Sequence, residues 1–338
     1  MGIYSNHFSH IYVEHKATDY AFCSHFLDKY PSSEIIYIDN YKDVFFRSNQ
    51  SFDMQKRSKS WILAVKTNNF IYDGSHFAQD AGYHNFFYNT LSHNCLYDCS
   101  YCYLQGMNPS ANIVSFVNIE DYFNATKAAI SQRKVLEHPL FLSLSYDTDL
   151  LAMENSIPYC SSWIQFAYDN PDFLGEIRTK SSNFKSIDNL APTKRILLSW
   201  TLSPKKIVDL HEHDTPSFQN RLSSINQAVE KGWLVRLCFD PVLAIDGWKD
   251  LYEDCVSKVF DTLPCTEIMD ATVGTFRMSS DYLRLARKRR PQFGLLQQDW
   301  EVRDRVVSEN HSKMEEVNTF MVELLSNWLP RNKISCWI

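Results

Sequence analysis

The sequence is poor in the residues that break up a chain. Its 338 residues include only nine glycines and twelve prolines, which leaves no flexible linker of any length. No run of about 18 apolar residues occurs, so no segment reads as a membrane-spanning helix. Residues 1–15 are polar and aromatic, without the basic n-region and apolar h-region of a secretory leader. The expectation is therefore a cytoplasmic protein with no membrane partner, a setting in which structural disulfides are rare. Basic residues are not in excess either. Lys and Arg total 34 against 40 Asp and Glu, a net charge of −6. A dedicated nucleic-acid binder draws much of its affinity from phosphate neutralisation, so this balance leaves room for a local basic groove but not for a generally basic surface. Internal repeats and low-complexity tracts are also absent.

What is present is a globular composition, 44% hydrophobic and 14% aromatic, which argues against disorder. Residues 1–89 read as an N-terminal α/β segment, with a short strand at 35–38 and a strand or hairpin at 61–72. From about residue 90 a rhythm sets in. Apolar runs at 140–145, 175–180, 195–201, 234–241 and 267–276 alternate with helical patterns at 120–136, 161–169, 218–231, 247–263 and 279–290. Asn118 is placed to cap the first of these helices, and Gly232 to close the third at its C′ position. Strands alternating with helices imply a parallel sheet. The fold class is α/β: a partial (β/α)6-type barrel over 90–290, with its site at the C-terminal ends of the strands. A C-terminal extension, 291–338, adds an amphipathic helix at 312–329 and a strand at 333–338, expected to pack on the outside of the barrel.

Three of the nine cysteines, Cys95, Cys99 and Cys102, fall in the segment SHNCLYDCSYCYLQG with the spacing C-x3-C-x2-C. A [4Fe–4S] cluster ordinarily takes four thiolates. Three leave one iron open to chelate the amino and carboxylate groups of S-adenosylmethionine (SAM). Reductive cleavage of SAM there yields a 5′-deoxyadenosyl radical, and in such chemistry the protein supplies positioning and protection. The spacing, with Tyr101 just before the third cysteine, resembles the signature of the radical SAM superfamily. A zinc loop would call for a fourth ligand; His93 is near, but no second C-x2-C exists. The other six cysteines are scattered and read as small buried residues. Electron delivery to such a cluster calls for a reductant protein of flavodoxin or ferredoxin type.

With these residues in view, the chain resembles the spore photoproduct lyase family, radical SAM enzymes that reverse a thymine–thymine lesion in DNA. CSYCYLQG carries most of the resemblance. YDTDLLAME (146–154), RTK (178–180), LSWT (198–201), FDPVLAIDGW (239–248) and the tail at 329–338 follow in the same order. The resemblance implies SAM-contacting roles for Thr148, Asp149, Lys180 and Ser199, and a hydrogen-relay role for Tyr101 and Tyr103. Read as residues alone, Asp149 also fits a helix cap, Lys180 a solvated surface position, and the tyrosines packing beside the loop.

Two departures stand out. The family's hydrogen-donating cysteine aligns with Tyr146, and 140–151 holds no cysteine, which makes Tyr146 the candidate donor. The family carries a glycine- and tyrosine-rich basic hairpin near the C-terminus; residues 292–313 are longer on acids and lack its repeated Gly-Tyr pattern. One basic run remains, RLARKRR (284–290), suited either to phosphates or to a solvated helix end. His211, Glu212, His213 and Asp214 form a polar cluster that reads as a metal site or, more simply, as a loop leading into the next helix at Asp214 or Ser217. YHNFFY (83–88) would shield the cluster, stack a base or pack in the core. The substrate is then a DNA lesion or other modified nucleobase, or, for a relative re-aimed away from DNA, a small molecule or peptide.

Overall fold

The computed structural model describes residues 8–74 and 82–337. Seven parallel strands form one curled sheet: β1 (Asn85–Tyr88), β2 (Leu140–Ser143), β3 (Phe173–Thr179), β4 (Ile196–Thr201), β5 (Leu234–Val242), β6 (Asp270–Thr275) and β7 (Ile334–Cys336). Each pairs with the next in that order. A short antiparallel strand, Tyr72–Asp73, lies outside β1. Helices Ile119–Ser131, Tyr159–Asp169, Phe218–Glu230 and Trp248–Thr262 connect successive strands, so the predicted partial barrel is observed.

The apolar runs locate the strands because a strand covered by helices on one side and filled by side chains on the other is buried on both faces. Gly232 has φ +84°. Its amide donates to Val229 O at 2.8 Å and that of Trp233 to Ala228 O at 3.1 Å, the Schellman pattern that ends a helix. Asn118 does stand at the N-cap position, but its amide turns away from the helix N–H groups. It bonds both backbone groups of Lys66 instead, at 2.8 and 2.9 Å.

Two expectations need correction. The stretch 61–72 is neither one strand nor a hairpin: Asn69, at φ +53°, turns the chain, sending Trp61–Ala64 into a separate sheet and Tyr72–Asp73 to β1. That separate five-stranded sheet comprises Glu34–Ile38, His10–Glu14, Trp61–Ala64, Ile113–Phe116 and Ser92–His93. The C-terminal strand does not pack on the outside; β7 extends the barrel sheet beyond β6, residue 338 lying outside the described residues. Helix His311–Ser326 does pack on the outside, with the Phe320 and Trp248 rings 4.9 Å apart. The stretch 292–313, without the Gly-Tyr pattern, still forms a hairpin, with neither glycine nor tyrosine at its turn. Strands Glu301–Arg303 and Val306–Ser308 pair around Asp304 and Arg305, at φ +49° and +65°, the left-handed pair of a two-residue turn.

Side chains along a strand alternate between faces, and this layers the barrel interior. At the N-terminal end, Phe141, Leu174 and Leu197 form an apolar plug. One step up, Glu176, Ser199, Arg236 and Asp270 are linked: Ser199 Oγ donates to Glu176 at 2.8 Å, and Arg236 bridges Glu176 at 3.2 Å and Asp270 at 2.6 Å. Above these, Arg277 clasps Asp240 with two bonds of 2.7 and 2.9 Å, and Arg178 reaches the same carboxylate at 3.4 Å. The cysteine segment lies over the open, C-terminal end.

Candidate active site

A cavity of about 830 Å³ opens at the C-terminal ends of the strands, and Cys95, Cys99 and Cys102 all face it. The chain enters this loop through Asn94, buried at φ +67°; asparagine tolerates that conformation. The Asn94 amide donates to Ser110 O and Asn112 O at 2.8 and 2.7 Å. Gly106, just past the last cysteine, is obligatory. A Cβ there would sit 1.9 Å from Tyr282 O, and its absence lets helix Ser280–Arg289 press against the loop.

The loop is held by residues far away in the chain. Asp98 pairs with Lys56 at 3.2 Å and Arg290 at 2.7 Å, and accepts from the Gln105 amide at 2.8 Å. Lys59 donates to Leu96 O at 2.6 Å, and Arg289 to Asn108 O at 2.6 Å. The basic run 284–290 is thus largely consumed within the fold: Arg287 holds Leu296 O and Gln298 O, Arg289 and Arg290 grip the cysteine loop, and Arg284 and Lys288 remain exposed. The 211–214 cluster also serves the loop. Glu212–His213 pairs antiparallel with Asp98–Cys99, and Ser100 Oγ lies 3.0 Å from His211 Nδ1. The following helix is capped by Ser217, which accepts from Asn220 N.

Burial alone would raise the Asp98 carboxyl, but Lys56, the Gln105 amide and Arg290 outweigh it and hold it down at about 2. A depressed carboxyl stabilises the fold above its unfolded value near 4, and that contribution is lost as pH falls through the folded value. Asp98→Asn is therefore expected to remove about 2 kcal/mol at pH 7 and less as pH drops from about 4 toward 2. Urea titrations across that range test it; an equal loss at pH 7 and pH 2 would refute the linkage.

The residues singled out in the sequence are placed as follows. Tyr103, Tyr146, Thr148, Asp149 and Lys180 line the cavity with the cysteines, as does Tyr101. Tyr103 donates its phenol to Tyr146 O and lies 3.4 Å from Asp147 Oδ1. Tyr101 is turned differently, its hydroxyl bonded to Glu212, with the Lys180 ammonium 5.5 Å from its ring centre. Asp149 caps helix Leu150–Met153 through Ala152 N at 3.1 Å, and also accepts from Thr179 Oγ1 and Lys180 N, both at 2.7 Å. Desolvation lowers the Lys180 ammonium, but the facing Glu212 carboxylate helps to more than offset it, so the group stays charged. Thr148 donates to Met153 Sδ at 3.1 Å. Ser199 is not among the lining residues; it is bonded to Glu176, which does face the cavity, as does Thr201 two residues on. His93 lies between Phe45 and Phe116, where burial pushes its imidazole down to about 4. Of the 83–88 segment, Tyr83 stacks on Phe141 at 4.0 Å, whereas Phe86 and Tyr88 line the cavity.

Sequence reasoning passed over three buried acids of the cavity wall. Asp147 accepts from Thr90 at 2.7 Å beside Tyr103. Glu176 and Asp240 form the charged floor. Glu212, read from the sequence as part of the 211–214 cluster, pairs with Arg221 at 2.5 Å, both side chains fully buried. Position near a strand end was the available signal for Asp147 and Asp240.

The three thiols suit an iron–sulfur cluster. They share one loop and one cavity wall, and burial raises each of them. Such thiols ionise when iron supplies the compensating charge. Among the described residues no three His, Cys, Asp or Glu side chains converge on a single ion, whereas a cubane takes one thiolate on each of three irons.

A curled parallel sheet with a three-cysteine loop over its C-terminal mouth is the radical SAM partial barrel. Within that class, the spore photoproduct lyase family matches residues 7–335, and the chain belongs to this family. Spore photoproduct lyase of Clostridium acetobutylicum is 22% identical over 177 residues, 52% of each chain. That of a Geobacillus strain is 22% identical over 188 residues, 54% of this chain and 53% of the relative. The chain spans about half the length of the curated relatives it matches. A spore photoproduct lyase mutant with dinucleoside spore photoproduct shares the fold at TM-score 0.83 and 15% identity, over 97% of both chains. A second mutant structure, with bound AdoMet and the same dinucleoside, gives 0.82 at 16%, again over 97% of both.

Proposed function

We propose that this protein is a radical SAM lyase acting on a thymine photoproduct or a related modified nucleobase, with electrons delivered by a flavodoxin- or ferredoxin-type protein. The observation that carries this reading is the juxtaposition, in one cavity, of three loop thiols with Tyr103 and Tyr146. When bound, the cluster and SAM supply a 5′-deoxyadenosyl radical that takes a hydrogen atom from the substrate.

Cys95, Cys99 and Cys102 hold the cluster in this reading. Lys180 offers a cation for a carboxylate, and Thr148 a hydroxyl for SAM. Asp149 acts mainly by fixing Lys180 through its backbone amide. Tyr146 presents a phenol where the family has a thiol, and Tyr103 adjoins it, their ring centres 6.3 Å apart. The cavity is near the upper end of the roughly 300–1,000 Å³ of small-molecule sites, and Phe86, Tyr88 and Phe276 give it aromatic walls on which a base can stack. The exposed hairpin tip, Val302 to Arg305, carries Arg303, paired with Glu301 at 2.8 Å, and Arg305, with Asp304 between them.

The test is an anaerobic assay of the reconstituted protein with SAM, dithionite and a synthetic dinucleoside spore photoproduct. 5′-Deoxyadenosine and repaired dinucleoside are both expected, and Tyr146→Phe should cut the repaired product severalfold while sparing deoxyadenosine. Deoxyadenosine without repair would remove the lesion as substrate. Unchanged product from Tyr146→Phe would remove Tyr146 as donor.

A further inference from the structure

The floor of the cavity is a network of ion pairs with donors to spare. Arg236 holds Glu176 and Asp270, and Arg277 clasps Asp240 with two bonds. Arg178 is left under-bonded. Its Nη1 reaches the already occupied Asp240 at 3.4 Å, its Nη2 lies 3.8 Å from Glu176, and its Nε meets no partner among the described residues. Two hydroxyls flank this guanidinium network. Ser145 and Arg178 each stand two residues beyond the paired Ser143 and Glu176, and Arg277 bonds the Thr275 carbonyl at 3.1 Å. Ser145 and Thr275 both line the cavity, 7% and 1% exposed, yet neither hydroxyl has a partner among the described residues. Buried hydroxyls are ordinarily bonded, and a guanidinium carries five donors. Gly274 leaves the network its room: a Cβ there would come within 2.7 Å of Asp240 Oδ1 and 2.9 Å of Arg277 Nη1.

We propose that Arg178, Thr275 and Ser145 form a subsite that reads the imide edge of a pyrimidine, Arg178 donating to its C4 carbonyl. This rests on the nucleobase reading above, but not on the lesion itself. An imide presents a carbonyl, an N–H and a second carbonyl along one edge. The guanidinium can only donate, whereas each hydroxyl can donate or accept. One hydroxyl therefore takes the N–H and the other serves the second carbonyl. Charge selects a neutral edge. Three carboxylates, Glu176, Asp240 and Asp270, stand against three guanidiniums, Arg178, Arg236 and Arg277, so the floor is balanced. A phosphate or carboxylate seated on it would bury an uncompensated charge. An amino-pyrimidine is rejected at Arg178, where amino hydrogens would oppose guanidinium hydrogens and leave the buried donors unpaired. Phe276, next in the chain to Thr275, lines the same cavity and supplies a stacking face.

The test is binding without turnover, read by calorimetry on the reconstituted full chain with SAM and no reductant. The probes are thymidylyl-thymidine and its counterpart with both bases replaced by 5-methylcytosine, which differ only along the imide edge. The thymine dinucleotide should bind at least about tenfold more tightly, and Arg178→Gln should erase that preference. Thr275→Val should weaken the thymine dinucleotide severalfold without lowering the urea stability of the unliganded chain, because the hydroxyl has no partner there. Equal affinity for the two probes, failure of both to bind, or a preference kept in Arg178→Gln overturns the subsite. So does a Thr275→Val chain that loses stability while its affinity is unchanged, which would make that hydroxyl a structural one. Repair is scored separately. A native chain that prefers the thymine dinucleotide but leaves the dinucleoside spore photoproduct unrepaired refutes the lesion-lyase reading and keeps the subsite.

Discussion

Cys99→Ala is expected to abolish cluster assembly and SAM cleavage together. The three loop cysteines are the thiols that face the cavity. Cys238, the other cysteine on an inward-facing strand position, is fully buried below the Asp240 layer, and Cys23, Cys160 and Cys255 are buried in the core. No neighbouring thiol is therefore placed to substitute, and two thiolates would leave half the irons of a cubane without protein ligands. The fold should survive, since removing one small side chain costs about 1 kcal/mol against a total of about 5–15 kcal/mol. Iron and acid-labile sulfide should fall to background after anaerobic reconstitution, and 5′-deoxyadenosine should vanish, with the circular dichroism spectrum intact. A variant that still binds iron and makes deoxyadenosine would refute the assignment of these cysteines.

The second large effect is on stability. Glu212→Ala would strand the Arg221 guanidinium, fully buried in the interior, and leave the Tyr101 and Ser203 hydroxyls without their acceptor. Breaking a buried pair in this way costs about 3–5 kcal/mol, roughly a fifth or more of the about 5–15 kcal/mol stability of an ordinary domain. Replacing both partners, as in Glu212→Met with Arg221→Met, should recover much of the loss, because the penalty lies in the unpaired charge. Urea denaturation of the two single variants and the double variant measures this. A loss below about 1 kcal/mol for Glu212→Ala would mean that water reaches Arg221. Because Tyr101 shares the carboxylate, the same substitution should also loosen the cysteine loop and lower iron retention.

The strands, the helices between them and the cysteine motif were legible because each is a local pattern. Apolar runs bounded by turn residues locate β2 to β6 to within a few residues, and three cysteines in eight positions need no tertiary information. Ser199 shows where such reading stops. Alternation along a strand identifies the inward face, but not which inward residue reaches the cavity; Thr201 and Glu176 do, and Ser199, bonded to Glu176, does not. The loop's supports were illegible for another reason. Asp98 meets Lys56 and Arg290 only after the chain has folded back on itself, and nothing in RLARKRR distinguishes an arginine that grips a carbonyl from one in solvent. The hairpin at 301–308 was missed because its left-handed turn is made by aspartate and arginine rather than by glycine. β7 was misplaced because a three-residue strand carries too little pattern to assign it to a sheet.

The reach of those supports sets a schedule. Arg289 and Arg290 close on the cysteine loop from far down the chain, and translation proceeds at about 5–20 residues per second, so the ribosome needs about 10 to 40 s to travel from Cys102 to Arg290. Through that interval the three thiols are already made while their clasp is not. Once Arg290 docks on Asp98 the loop is held in place, with its thiols turned to the open cavity.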